Sequence, residues 1–260
     1  MTDIILQSID ERGIATVTLN RPEIHNAFDD VLIARLTEVL QSLADDRTVR
    51  IVVLNAAGKS FSAGADLGWM RRVAAYTLAE NIADAKGLAT LMYTLDRLPK
   101  PTIAVVQGAA YGGGVGLAAC CDIAIAAETA TFCLSEVKLG IIPSVISPYV
   151  VRAIGLRQSR RYFQTAEVIS AARAREIGLV HETVSASALG TALDAIIQAL
   201  LLGAPGAQAD AKSLAFLNDA TPLDEALLAE TARRIAERRT TDEAKDGLGA
   251  FLEKRKPGWR

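Results

Sequence analysis

Histidine and cysteine are scarce in this 260-residue chain: His25 and His181 on one side, Cys120, Cys121 and Cys133 on the other. No cluster of cysteine, histidine and carboxylate surrounds either histidine, so the sequence offers neither a metal-ligand spacing nor the base of a Ser-His-Asp triad. Cys120 and Cys121 are adjacent and poorly placed to pair with each other. With the odd count, this makes the three thiols small buried hydrophobes of a reducing compartment. An excess of one charge is also missing. Lys and Arg number 28 against 30 Asp and Glu, a formal charge of −2, with a pI near 5.8. That balance argues against the concentrated basic surface that binding to nucleic acid requires. The stretches "MRRVA" and "EKRKPGWR" read as solvated faces. No apolar run reaches the roughly 18 residues of a membrane span, and "MTDIILQSIDERG" shows no basic segment leading into an apolar one. A cytoplasmic protein with no membrane partner is expected. Low-complexity segments and a solenoid period are absent as well.

What the chain does have is hydrocarbon, half its residues being apolar. "GIATVTLN", "RIVVLNAAG", "PTIAVVQG" and "DIAIAAE" are short Val- and Ile-rich runs bounded by turn residues or charge, the pattern of buried strands. Between them lie helical periods. Leu32, Leu36, Leu40 and Leu43 form one apolar stripe behind Asp29 and Asp30 as caps, and a second helix runs from Leu78 to the prolines of "RLPKP". Alternating strands and helices make the first 190 or so residues an α/β unit. After "LLGAPGAQAD" the chain turns helical and charged, with no further strand signal. The expected division is residues 1–200 as a core carrying the site and 201–260 as a helical appendage.

Two glycine-bearing turns hold the chemistry. "AAYGGGVGLAACCDIAI", residues 109–125, follows a strand, yet the dinucleotide fingerprint fails: from Gly112 it needs a glycine where Leu117 stands, and from Gly114 only the relaxed form ending in Ala119 fits. No Gly-Lys-Ser or Gly-Lys-Thr follows for a P-loop. "GKSFSAGADLGWM", residues 58–70, again runs from a strand into tiny residues at a helix start, with Asp66 at or near its N-cap. Either both turns are close-packed strand-to-helix corners, or their unpaired amides converge on one oxygen as an oxyanion hole. Asp122, after the cysteine pair, reads as a strand-start or capping acid.

The ordered set "LNRPEIHNAF", "FSAGADL", "GAAYGGGVGLAACCDIAIA", "SEVKLGIIPS", "AREIGLV" and "AFLEKRKP" resembles the enoyl-CoA hydratase/isomerase (crotonase) superfamily over nearly the whole chain. The resemblance implies a crotonase-like spiral of β-β-α units with a C-terminal helical region, assembly as a homo-oligomer (trimer or dimer of trimers), and an acyl-CoA substrate. Coenzyme A then enters as part of the substrate, with no resident cofactor and no metal. By the same resemblance, the N–H groups of Ala65 and Gly113 are the oxyanion donors and Glu136 the acid/base. Ala63, Asp66, Leu67, Glu23, Ile24 and His25 lie along the CoA. Phe251 and Lys254 reach it, often from a neighbouring subunit, and the C-terminal region serves as a lid and trimer contact. Two-glutamate hydratases of the family keep their first acid at the position of Gly116, and many relatives have a glycine-rich run where this chain reads Ser144 to Pro148. The match is nearest to the bacterial methylglutaconyl-CoA and carboxygeranoyl-CoA hydratases, which act on branched chains with a second carboxylate. Gly116 is therefore expected to open space, or to remove a negative charge, where that carboxylate or its water sits. Arg71, Arg72 and Lys138 are the nearest cations by sequence, though arginines there read more simply as solvated. The expectation is hydration of a branched or carboxylated 2-enoyl-CoA; a Δ3,Δ2-enoyl-CoA isomerase is the alternative, and a non-catalytic CoA- or RNA-binding protein is disfavoured by Glu136 and by the charge balance.

Overall fold

The computed structural model describes residues 3–260. An antiparallel pair, β1 (Ile5–Ile9) and β2 (Ile14–Leu19), leads into α1 (Asp30–Asp45). One pattern then repeats three times. β3 (Ile51–Ala56) and β4 (Ser62–Ala63) precede α2 (Leu67–Val73) and α3 (Leu78–Asp96). β5 (Thr102–Val106) and β6 (Ala110–Tyr111) precede α4 (Gly113–Cys120), and β7 (Ile123–Ala127) and β8 (Thr131–Cys133) precede α5 (Ser147–Thr165). β9 (Ile169–Ser170), α6 (Ala171–Glu176), β10 (Glu182–Val184) and α7 (Leu189–Leu201) follow, then α8 (Pro205–Ala220), α9 (Glu225–Thr240) and α10 (Asp242–Leu252).

In each repeat the first strand joins a six-stranded sheet, β1-β2-β3-β5-β7-β10, and the second a four-stranded sheet, β4-β6-β8-β9. This is the expected spiral of β-β-α units. The four strands read from the sequence, β2, β3, β5 and β7, are the middle of the larger sheet. Their side chains are its core, with Val52, Leu54, Ile103 and Ile125 at most 1 % exposed. Asp29 caps α1 by accepting from the Leu32 N–H at 2.8 Å, and the Leu32–Leu43 stripe is fully buried. Each of those leucines contributes about 1.5–3 kcal/mol by leaving water. Asp122 proves a tie between β5 and β7: its carboxylate accepts from the Thr102 N–H and hydroxyl at 2.8 and 2.9 Å.

The chain divides into two compact units, one running to Leu98 and resuming over Thr102–Asp194, the other made of Pro99–Pro101 and Ala195–Arg260. Within the second, the Glu243 carboxylate accepts from the Gly206 and Ala207 N–H groups at 3.0 and 3.1 Å, anchoring the start of α8. Leu223, Phe251 and Leu252 of this unit are about four-fifths exposed. Among the described residues no single helix is long and apolar enough to cross a membrane.

Candidate active site

The smaller sheet aligns the site. Ala63 pairs with Tyr111, and Tyr111 pairs with Cys133, so these three residues form one rung across β4, β6 and β8. Two residues beyond the rung on β4 is Ala65, two beyond it on β6 is Gly113, and three beyond it on β8 is Glu136. Parallel pairing in a common register therefore delivers the three expected catalytic groups at the same edge of one sheet.

The Ala65 amide is aimed by its neighbours. Phe28 N–H donates to the Gly64 carbonyl at 2.8 Å and Asp66 N–H donates to the Phe28 carbonyl at 2.7 Å, a parallel bridge centred on Ala65. In such a bridge the central residue's own N–H points away from the partner strand. Gly64, at φ +97°, makes the necessary break in the alternation after Ala63, whose N–H still points to the His25 carbonyl at 3.0 Å. On the second turn, Gly112 at φ +53° uses its own N–H on the Cys133 carbonyl at 2.9 Å and leaves Gly113 as the first residue of α4. A first-turn amide has no intrahelical acceptor. Among the described residues nothing accepts from the N–H of Ala65 or Gly113.

Phe28 and Asn26 hold this arrangement, and the sequence reading did not single out either. A Cβ on Gly113 would stand 3.1–3.2 Å from the Phe28 ring, so that ring packs directly on the turn. Asn26 is fully buried at φ +54°, a conformation asparagine tolerates. Its side chain accepts from Arg21 N–H at 2.8 Å and donates to the carbonyls of Ala57 and Ser60 at 2.9 Å. Nothing in "NAF" itself marks either residue, because both act on backbone more than 30 residues away.

Glu136 begins a one-turn 3-10 helix, Glu136–Leu139. Its Oε1 lies 3.3 Å from where a Gly112 Cβ would be, which puts the carboxyl against the turn that carries the Gly113 amide. Oε2 is shielded from water and has no hydrogen-bond partner among the described residues. Burial raises the Glu136 pKa above the usual carboxylate range, with a weaker opposing pull from its own backbone N–H. A carboxyl kept this way exchanges protons nearer neutrality than an exposed one. Cys133 on the same rung is buried, and that burial pushes its thiol up, away from the thiolate a nucleophile needs.

The CoA candidates fall into two places. Glu23 and Ile24 belong to a 3-10 turn, Pro22–Ile24, and the His25 carbonyl bonded to Ala63 lays that segment beside β4. The His25 ring meets Ser60 Oγ at 3.1 Å. Asp66 caps α2 through the Trp69 N–H at 2.9 Å, and Leu67 is 70 % exposed beside it. Phe251 and Lys254 belong to the second unit, the first exposed and the second at φ +56°. Arg72 is paired with Asp30, and Lys138 donates to the Ala166 carbonyl at 2.8 Å.

One expectation is corrected. Gly116 opens no space, because a Cβ there would overlap Ile146 Cγ2 and stand 3.0 Å from Ile146 Cβ and 3.1 Å from Met92 Cε. The volume is filled by hydrocarbon.

A family model described as enoyl-CoA hydratase/isomerase matches residues 10–260. The crystal structure of an enoyl-CoA hydratase from Shewanella pealeana superposes with a TM-score of 0.95 at 47 % identity, covering 99 % of this chain and 96 % of that one. Pseudomonas aeruginosa AtuE gives a TM-score of 0.94 at 38 % identity, covering 99 % of both chains. The trans-2-decenoyl-acyl-carrier-protein isomerase of Streptococcus mutans is 30 % identical over 257 residues, which is 97 % of this chain and 96 % of the isomerase.

Proposed function

The chain belongs to the enoyl-CoA hydratase/isomerase family, and from that premise we propose that it adds water across the 2,3 double bond of a branched or carboxylated 2-enoyl-CoA, with Glu136 as its one acid/base group. The observation that carries this is the Glu136 carboxyl, one oxygen against the turn that carries the Gly113 amide and the other buried and without a partner among the described residues.

The chemistry follows from the charge. As a water oxygen bonds to C3, the double-bond electrons move toward the thioester and negative charge collects on its carbonyl oxygen. The Ala65 and Gly113 N–H groups meet that charge; one such donor is typically worth about 10²–10³ in rate. Glu136 takes the proton the water loses, and a proton from its carboxyl goes to C2. Water is consumed, C3 gains oxygen, C2 gains hydrogen, and the carboxyl returns to its starting state. Leu67, Leu139, Ile141 and Ile142, all exposed, follow Ala65 and Glu136 closely in the chain and offer apolar surface to an acyl group. The exposed Leu223, Phe251 and Leu252 of the second unit support a homo-oligomer.

A single carboxyl also suits an isomerase, which moves one proton from C2 to C4 without water, and the S. mutans relative keeps that reading open. Assays of 3-methylglutaconyl-CoA, crotonyl-CoA and a 3-enoyl-CoA side by side decide. Water addition fastest to the first is the expected result. Conversion of the 3-enoyl to the 2-enoyl isomer without hydration overturns it. Glu136→Gln should lower the activity by about 10²–10⁴, and retained turnover would remove Glu136 from the mechanism.

A further inference from the structure

Two departures far apart in the sequence, Gly116 and Ile146, are one feature in three dimensions. Gly116 lies one turn along α4 from Gly112, to whose carbonyl its N–H donates at 3.2 Å. It is buried, and the space a side chain would take there belongs to Ile146 and Met92. Ile146 is 3 % exposed and cannot readily withdraw. Its backbone is the N-cap of α5, its carbonyl accepts from Tyr149 and Val150 at 3.2 and 3.1 Å, and Ser147–Pro148 follow as the first helical residues. The residue at 116 has no side chain because Ile146 is there, and Ile146 can be there because 116 has none.

We propose that Gly116 and Ile146 are a matched pair, and that Ile146 is a specificity-determining residue that walls the site with hydrocarbon one helical turn from the oxyanion turn. One turn is about 5.4 Å, the scale that separates a thioester oxygen held at Gly113 from a substituent on C3. A methyl branch at C3 meets the Ile146 side chain there. No second carboxyl fits, so proton transfer is left to Glu136. The inference rests on the reading of this site as an acyl-CoA site, and its tests separate the two.

The first test is a thermal-unfolding cycle of the parent, Gly116→Glu, Ile146→Gly and the double variant. Overpacking makes Gly116→Glu melt lower by roughly 5 °C, and the same change made in the Ile146→Gly background should cost less than half of that. Equal losses in both backgrounds overturn the pairing, whatever the enzyme's substrate. The second test is the affinity of the parent and Ile146→Ala for 3-methylbutyryl-CoA and butyryl-CoA, measured by calorimetry without turnover. The parent should favour the branched chain, and the variant should lose about tenfold of that preference, the scale of one methyl contact. An unchanged ratio with a lowered melting temperature makes Ile146 packing alone and overturns the specificity role. If the parent binds neither acyl-CoA, the specificity role falls together with the reading of the site, while the melting cycle still decides the pairing.

Discussion

The two sheets of the first unit take alternate strands of the same repeat and do different work. β2, β3, β5 and β7 run five or six residues and bury most of their side chains; β4, β6, β8 and β9 run two or three. A two-residue strand buries too little to stabilise a fold. It can still set register, and one rung through Ala63, Tyr111 and Cys133 is enough to bring Ala65, Gly113 and Glu136 to one edge. The larger sheet carries the stability against which the smaller one holds its unpaired groups.

That division is open to attack from either side. Leu54 of β3 is 1 % exposed, paired in register with Val17 and Ala104. Leu54→Ala should cost about 2–5 kcal/mol of stability, seen in thermal or urea unfolding. Turnover per folded molecule should stay within about twofold of the parent, because both of its register partners, Val17 and Ala104, belong to the larger sheet. A large fall in kcat at full folding would show that the sheets do not share the work in this way.

The converse change is Gly64→Ala. A Cβ there meets nothing within 4 Å, so the whole cost lies in the backbone at φ +97°, about 1–3 kcal/mol of strain if the turn holds. Where the turn instead relaxes, the Ala65 N–H swings off the oxyanion position, and kcat/KM should fall by about 10²-fold, near the loss of one donor. A variant as stable as the parent, its turn relaxed, that is still fully active would place the hole elsewhere.

The same contrast governs what the sequence disclosed. Runs such as "RIVVLNAAG" are long enough for composition and bounding residues to declare a strand, and the leucine stripe of α1 repeats over three turns. Two residues have no period, so Ser62–Ala63 and Ala110–Tyr111 could be seen only as the approach to small-residue turns. Family resemblance supplied Ala65, Gly113 and Glu136, which the shared rung then brought to one edge. Phe28 and Asn26 stayed hidden because their roles are contacts to backbone more than 30 residues away. Gly116 reads as an empty place in the sequence because its partner, Ile146, lies 30 residues on, beyond the reach of any local pattern.

The smallest effect concerns what the site costs the fold. Oε2 of Glu136 is buried without a partner, and burial raises the group's pKa in the folded state above its value in the unfolded chain. The folded protein therefore holds a proton that the unfolded chain releases once the pH passes the ordinary glutamate value of about 4.3. Stability is undiminished below that value and declines as pH rises through the window up to the folded pKa. A glutamine side chain in its place would carry no such titration. Glu136→Gln should melt level with the parent near pH 4 and above it at pH 7, by less than either change discussed above shifts stability, even as it removes activity. A variant no more stable than the parent at pH 7 would mean that the carboxylate is satisfied where it sits, and the smaller sheet would then hold its acid at no cost to the fold.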